Sequence, residues 1–278
     1  IELAAWKRAD QAARVVKAKD RLHLSPAISP DGRTMAYLTL IGVTPVLAIS
    51  DIPGPGREER HVRRLRLKLR ALHSGRYEEW QPLSTRISFR PDGQMLLLSG
   101  RSYGQQSLLF VDIRKKRISE SRPVSLDAIH YPAYTPEGQA VILTGVAASR
   151  ADLYLYDLKK ETLSRLTDSL CYEKDPLYFR GDLYFVAACD SGYQALYRLA
   201  GPDREPIKVT DLPFGVESPA ATARGLIVRA TGRGAGNLFL IPADILQSTV
   251  RLKDLETITA RPGNVRSFAS HETSGILW

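Results

Sequence analysis

Asp175 and Glu217 are the residues of this chain best placed, by type and spacing, to do chemistry. Each stands just ahead of an apolar run at a matching point of a repeated pattern, and two carboxylates on neighbouring structural units could serve as general acid and base. Arg86, His130, Tyr131 and Arg266 occupy the corresponding points of other repeats. Converging with mixed charge, these side chains and the two carboxylates could instead hold a peptide terminus, a loop or an ion. Ordinary loop groups wetted by channel water are the competing reading, and nothing marks a substrate. The chain has no Gly-x-x-x-x-Gly-Lys phosphate loop and no His-Glu-x-x-His metal pair, and no serine is read as an elbow nucleophile. Its histidines, His23, His61, His73, His130 and His271, lack ligand spacing. No catalytic residue, metal site or cofactor is therefore expected, apart from room for a cation in an axial channel.

What must position these groups is a returning heptapeptide. Pro26-Ala-Ile-Ser-Pro-Asp-Gly32 comes back as Ile87-Ser-Phe-Arg-Pro-Asp-Gly93 and Pro132-Ala-Tyr-Thr-Pro-Glu-Gly138, then, worn down, as Pro176-Leu-Tyr-Phe-Arg-Gly181 and Pro219-Ala-Ala-Thr-Ala-Arg-Gly225. Pro-Asp-Gly between apolar runs is turn chemistry, with φ preset by Pro, the backbone capped by Asp and positive φ accepted by Gly. Third apolar runs follow at Leu108 to Asp112, Leu153 to Asp157, Ala195 to Leu199 and Leu238 to Ile241, and fourth ones such as Ser164 to Thr167 and Ile207 to Thr210. Each unit thus reads as a four-stranded meander. The turns recur at intervals of 61, 45, 44 and 43 residues, and a period near 44 with four strands per unit predicts an all-β fold, a β-propeller of antiparallel blades.

The ends of the chain are read as one shared blade. Val265 to Trp278 offers a first and second strand and then stops, while Glu2 to Lys17 matches the third and fourth strands of Asp152 to Thr167 in spacing. The expectation is a single six-bladed domain over 1–278, its last blade assembled from about 1–18 and 262–278, with an insertion at about 53–82 lengthening the first interval. Such closure leaves no broken sheet edge. An Ala-rich helix over Leu3 to Arg14 is the alternative for the N-terminal part.

The net charge of +9 would suit an anionic partner or merely solubility. Much of it lies in the insertion, where Leu65, Leu67 and Leu69 alternate with Arg64, Arg66, Lys68 and Arg70. Period two predicts an edge strand, its cations either guarding the edge or meeting an anionic surface. Few aromatics interleave with them, so nucleic acid is not expected. Gly232 to Gly236 is read as a flexible hairpin turn. Cys171 and Cys189, the only thiols, are read as buried small apolar side chains, a bridge being the alternative. No apolar run approaches the roughly 18 residues of a membrane-spanning helix, and no signal peptide is present.

The repeated Pro-x-x-(Ser/Thr)-Pro-(Asp/Glu)-Gly, with Leu153-Tyr-Leu-Tyr-Asp157 after it, resembles the TolB-like propeller repeat over nearly the whole chain. The resemblance implies a six-bladed propeller that binds a protein or peptide in the bacterial periplasm or cell envelope. In the family's namesake an α/β domain precedes the propeller, and no counterpart is read here. The same repeat gates prolyl oligopeptidase-like serine peptidases, and metal-dependent propeller hydrolases and lyases exist. The expected function is non-enzymatic partner binding at one mouth of the axial channel, with the propeller domain of an enzyme as the alternative.

Overall fold

The computed structural model describes residues 4–5, 24–41, 44–52, 64–67, 77–79, 85–189, 192–201, 205–231, 236–259, 265, 268–271 and 276–277. The chain divides into two compact units, one of residues 1–138 with 267–278 and one of residues 139–266. After β1 (Ala4–Ala5) the first sheet runs in the order β2 (Leu24–Ile28), β3 (Thr34–Ile41), β4 (Thr44–Asp51) and β5 (Arg64–Leu67). In the second, β6 (Tyr77–Glu79) and β7 (Ser88–Phe89) both pair with β8 (Met95–Ser102), which leads to β9 (Gln105–Asp112) and β10 (Arg117–Pro123). The third takes β11 (Ala128–Tyr134), β12 (Ala140–Ala147), β13 (Arg150–Asp157) and β14 (Thr162–Arg165) in order. The fourth comprises β15 (Tyr172–Phe179), β16 (Asp182–Ala188), β17 (Ala195–Leu199) and β18 (Ile207–Lys208), and the fifth β19 (Gly215–Thr222), β20 (Gly225–Thr231), β21 (Leu238–Pro242) and β22 (Glu256–Thr257). Last comes β23 (Ile276–Leu277), antiparallel to β1 with Ala4 opposite Leu277.

The meander of four antiparallel strands is the propeller blade foreseen from the repeat. Five such sheets stand among the described residues where six blades were expected; beside them the described residues hold only the two-stranded β1–β23 pair. The second sheet departs from the pattern: β6 and β7 pair with separate stretches of β8, Tyr77 opposite Ser102 and Ser88 opposite Leu97. β5 pairs with β4 at the sheet edge, as the alternation of Arg64 to Leu67 requires. Lys68, Arg70, most of 53–82, most of the Gly232 turn and most of 1–18 lie outside the described residues.

Middle strands are buried along their length, Leu96 to Gly100 in β8 and Val141 to Gly145 in β12. In the first unit Leu38, Leu47, Phe89, Leu96 and Leu109 share one apolar cluster; in the second, Phe179, Val186, Val216, Val228 and Ile241 share another. The turn glycines serve this stacking. A Cβ on Gly138 would lie 3.0 Å from Pro91 Cδ, and one on Gly93 3.8 Å from Pro30 Cδ, so each turn seats against the proline of the preceding repeat. Gly32 seats in the same way, 3.2 Å from the ring of His271, and Ala269 packs with Met35, Tyr37 and Ala48. The C-terminal segment therefore holds the place before the first sheet that each sheet of this unit holds before its successor.

One expectation is corrected. Cys171 and Cys189 form a disulfide with a Cα–Cα separation of 5.0 Å. Tyr172 pairs with Ala188, and one step outward the antiparallel register sets the two cysteines face to face.

Candidate functional site

The expected site residues do not sit in loops ahead of the first strands. Except for Arg86, those described lie inside them, because β11, β15 and β19 each start four residues ahead of the motif's first Pro. There the strand is broken by a device invisible in a sequence pattern. Ser25, Tyr131, Asp175 and Ser218 have φ of 49°, 50°, 55° and 53°, and each directly precedes the first Pro of its repeat. The pyrrolidine ring disfavours the right-handed helical region for the residue before it. The left-handed one adopted instead costs about 1–3 kcal/mol. Between Lys174 and Leu177, and between Glu217 and Ala220, the ladder shifts register. Proline at the bulge has no N–H, so no donor is orphaned by the interruption.

In the second unit the bulges of β15 and β19 are fastened to one another. Lys174 Nζ donates to Glu217 Oε2 at 3.1 Å, and Arg229 of β20, opposite Glu217 in the ladder, donates through Nη2 to Oε1. The other Arg229 nitrogen, Nη1, reaches the Val265 carbonyl at 3.2 Å, and the Ser218 N–H donates to Asp175 Oδ2 at 3.2 Å. Lys174 is 8% and Asp175 5% exposed, so these charges are largely withdrawn from water and depend on each other for compensation. With a cation at each oxygen, Glu217 is held as a double acceptor, a geometry for fixing backbone and side chains rather than for shuttling protons. Arg229 was absent from the sequence reading because it lies on the second strand; only the β19–β20 register brings it to Glu217.

Glu173, next to Lys174 in the chain, belongs to a second polar cluster. Glu173, 1% exposed, accepts hydrogen bonds from the hydroxyls of Thr167 and Ser169, the latter at 2.8 Å. Burial pushes its carboxyl upward, and the two hydroxyls pull it back. Asp152, equally buried, accepts from Arg165 Nη2 at 2.6 Å and from the Ser169 N–H at 3.2 Å. Thr167 also accepts the Leu153 N–H at 2.9 Å, as Thr210 does for Leu196 and Thr259 for Leu238. In these three sheets the threonine after the fourth strand saturates the third strand where pairing stops. Around the start of β15, Leu170 is 97%, Tyr172 49% and Tyr193 54% exposed.

In the first unit, Ser25 donates to the Thr85 carbonyl at 2.6 Å, which ties β2 to the residue before Arg86. His130 is half-buried, its Nδ1 buried without a hydrogen-bond partner and its pKa lowered by burial. Its ring lies 6.2 Å from that of Tyr131, tilted by 53°. Arg266 lies outside the described residues. Among the described residues no group of three or more His, Cys, Asp or Glu side chains could hold a metal.

One motif escapes the sequence reading. Gly100-Arg-Ser-Tyr-Gly104 has the Gly-x-Ser-x-Gly spacing of a nucleophile elbow, which needs a strand-to-helix turn that exposes the serine. Here it spans the β8–β9 hairpin, Tyr103 and Gly104 take φ of 50° and 74°, and Ser102 is 4% exposed. A tight strand-to-strand turn is what this pentapeptide builds.

Comparison with known proteins identifies the fold and stops there. No family model matches the sequence, and no curated protein does. Among solved structures, TolB from Acinetobacter baumannii is similar at a TM-score of 0.66 and 18% identity, over 86% of this chain and 56% of that one. This chain thus spans little more than half of that protein. A protein from Agrobacterium tumefaciens assigned as TolB is similar at 0.68 and 15%, over 88% and 83%. The tricorn protease is similar at 0.63 and 15%, over 92% of this chain but 24% of its own. At such identities the likeness establishes an all-β propeller with TolB-like architecture. No helix among the described residues is long and apolar enough to cross a membrane.

Proposed function

We propose that the chain is a non-enzymatic binding scaffold, a six-bladed propeller whose sixth blade joins both termini. It takes a protein or peptide partner at the blade ends where the first strands bulge. The observation that carries this reading is the pairing of a rigid charged network, Lys174–Glu217–Arg229, with exposed Leu170, Tyr172 and Tyr193 at the same end of β15. Tyrosines beside a preorganised polar floor are what recognition surfaces use, because an aromatic ring loses little conformational entropy on binding. Binding needs a fixed surface, and this network fixes the backbone at its two strained residues. Arg86, His130, Tyr131 and Arg266 belong to the same reading as partner contacts. The cations of Arg64, Arg66, Lys68 and Arg70 supply an edge suited to an anionic surface.

The bacterial periplasm or cell envelope is the proposed location. The likeness to TolB structures supports it, and so does the Cys171–Cys189 disulfide, since such bonds persist in oxidising compartments. Pull-down from an envelope extract with the parent chain, Glu217→Lys and Arg86→Glu tests the binding surface. The reading expects one discrete partner, lost with the substitutions; equal recovery by all three removes it. If the basic edge governs association, recovery should fall steeply with salt.

A second reading has one observation in its favour. Solved structures of the tricorn protease, of an acylaminoacyl peptidase and of prolyl endopeptidases share the fold at 13–15% identity, and this chain covers 24%, 40% and 36% of them. A peptidase domain encoded next to this propeller would make it a gating domain, and the flanking coding sequence decides the matter.

A further inference from the structure

The Cys171–Cys189 disulfide stands at the free end of a three-residue ladder. β15 pairs with β16 at Tyr172–Ala188, Glu173–Ala187 and Lys174–Val186. The register then breaks, and pairing resumes only at Leu177–Tyr184. Residues 172–174 are thus cut off from the rest of their strand by the Asp175–Pro176 bulge, and three ladder positions are too few to hold an end by themselves. Yet this short segment carries Glu173, bonded to Thr167 and Ser169, and Lys174, bonded to Glu217. The cystine closes the open end, one residue past the last ladder pair.

The fifth sheet supplies the contrast. Its ladder has the same form, Gly215–Thr231, Val216–Ala230 and Glu217–Arg229 before the bulge. There the Val216 N–H donates to the Gln194 carbonyl of the neighbouring sheet at 2.8 Å, and the Glu217–Arg229 ion pair bridges the two strands. Both holds run through the segment itself. In the fourth sheet the cross-strand partners of Glu173 and Lys174 are Ala187 and Val186, which offer no side-chain bond, and a covalent bridge stands instead.

We propose that the Cys171–Cys189 bond is a redox-sensitive lock on the Lys174–Glu217 network: cleaved by a dithiol reductant, it releases residues 172–174 while the rest of the propeller stays folded. Attack of the reductant's thiolate on one sulfur expels the other as a thiolate. The second thiol of the reductant then displaces the protein sulfur, leaving both cysteines reduced and the reductant as a cyclic disulfide. Cys189 is exposed, so a thiolate can reach the bond. Opening separates Lys174 from Glu217 and frees Glu173 from its two hydroxyls, which loosens the floor under Tyr172. Binding by the proposed surface then becomes a property of the oxidised form. That consequence rests on the proposed function, whereas the lock itself does not.

Hydrogen exchange followed by mass spectrometry on the intact chain tests it, before and after treatment with dithiothreitol, with thiol titration confirming two free cysteines. Exchange over residues 172–174 and 186–188 should rise about a hundredfold, the scale set by the closure entropy of the 18-residue loop, while β20 and β21 keep their protection. Unchanged exchange at 172–174 after complete reduction overturns the lock. So does loss of protection throughout, which would make the bond a global staple. The Cys171→Ser/Cys189→Ser variant, left untreated, should reproduce the reduced pattern. Because exchange is read without any partner, failure here leaves the binding surface untouched, and failure of the pull-down leaves the lock standing.

Discussion

His271 donates a hydrogen bond from Nε2 to the carbonyl oxygen of Pro30 at 2.9 Å, although 241 residues of chain separate them. The ring also caps the face of Gly32, and the histidine is only 8% exposed. His271 stands at the position held by Pro30 against Gly93 and by Pro91 against Gly138. The C-terminal segment is therefore docked on the first sheet by the same contact that docks consecutive repeats. His271→Ala should lower stability by about 1–2 kcal/mol through the lost buried hydrogen bond, seen as a reduced denaturation midpoint. His271→Pro, which restores the repeat's own residue, should recover the packing and not the hydrogen bond.

The pairing of Ala4 with Leu277 gives a direct check on the proposal that the two termini share a blade. With cysteines at both positions, mild oxidation should yield an intramolecular crosslink in the monomer, mapped by non-reducing peptide mass analysis. Crosslinking only between molecules would leave the termini without a shared blade.

The buried network should behave as a coupled unit. Lys174→Met leaves Glu217 with one cation instead of two in a largely dry setting, and a loss of about 2–4 kcal/mol is expected. Lys174→Met combined with Glu217→Leu should lose less than the sum of the single changes, because neither partner is then left uncompensated. Additive losses in chemical denaturation would show that the two side chains act independently.

Two buried groups set opposite pH dependences. Burial raises the Glu173 carboxyl, so the unfolded chain gives up its proton first as pH climbs past the ordinary glutamate value. Stability should fall through that window, and Glu173→Gln should flatten the fall. Burial lowers the His130 imidazole, so the unfolded chain takes up a proton first as pH drops below the ordinary histidine value. Stability present above that value should decline on the acid side, and His130→Gln should remove that part of the decline. Thermal midpoints of the parent and both variants across pH separate the two contributions.

Gly225 and Gly104 should respond differently to alanine. A Cβ on Gly225 would lie 2.0 Å from the Ile241 carbonyl oxygen, with φ at 151°, so Gly225→Ala should cost about 3 kcal/mol or more. Gly104, at φ 74°, has nothing within 4 Å of such an atom, and its replacement should cost about 1–2 kcal/mol.

The fold was largely legible because its turns use residues with few alternatives. Pro-Asp-Gly marks the first hairpin of two repeats and Pro-Glu-Gly that of a third, and the apolar runs at Leu108, Leu153, Ala195 and Leu238 fall in β9, β13, β17 and β21. The site was legible only in outline. A residue before proline announces no positive φ, so the bulges at Asp175 and Ser218 left no trace in the pattern. Arg229 joins Glu217 through cross-strand register, and Cys171 meets Cys189 through another, neither of which a linear spacing contains.

The most direct test of the binding scaffold places a photoreactive amino acid at Tyr172, with a control at exposed Arg114 in the β9–β10 turn, in cells that express the chain. The account expects one discrete protein adduct from position 172, weakened by Glu217→Lys and absent from position 114. No adduct at 172, or the same adduct at both positions, would contradict it.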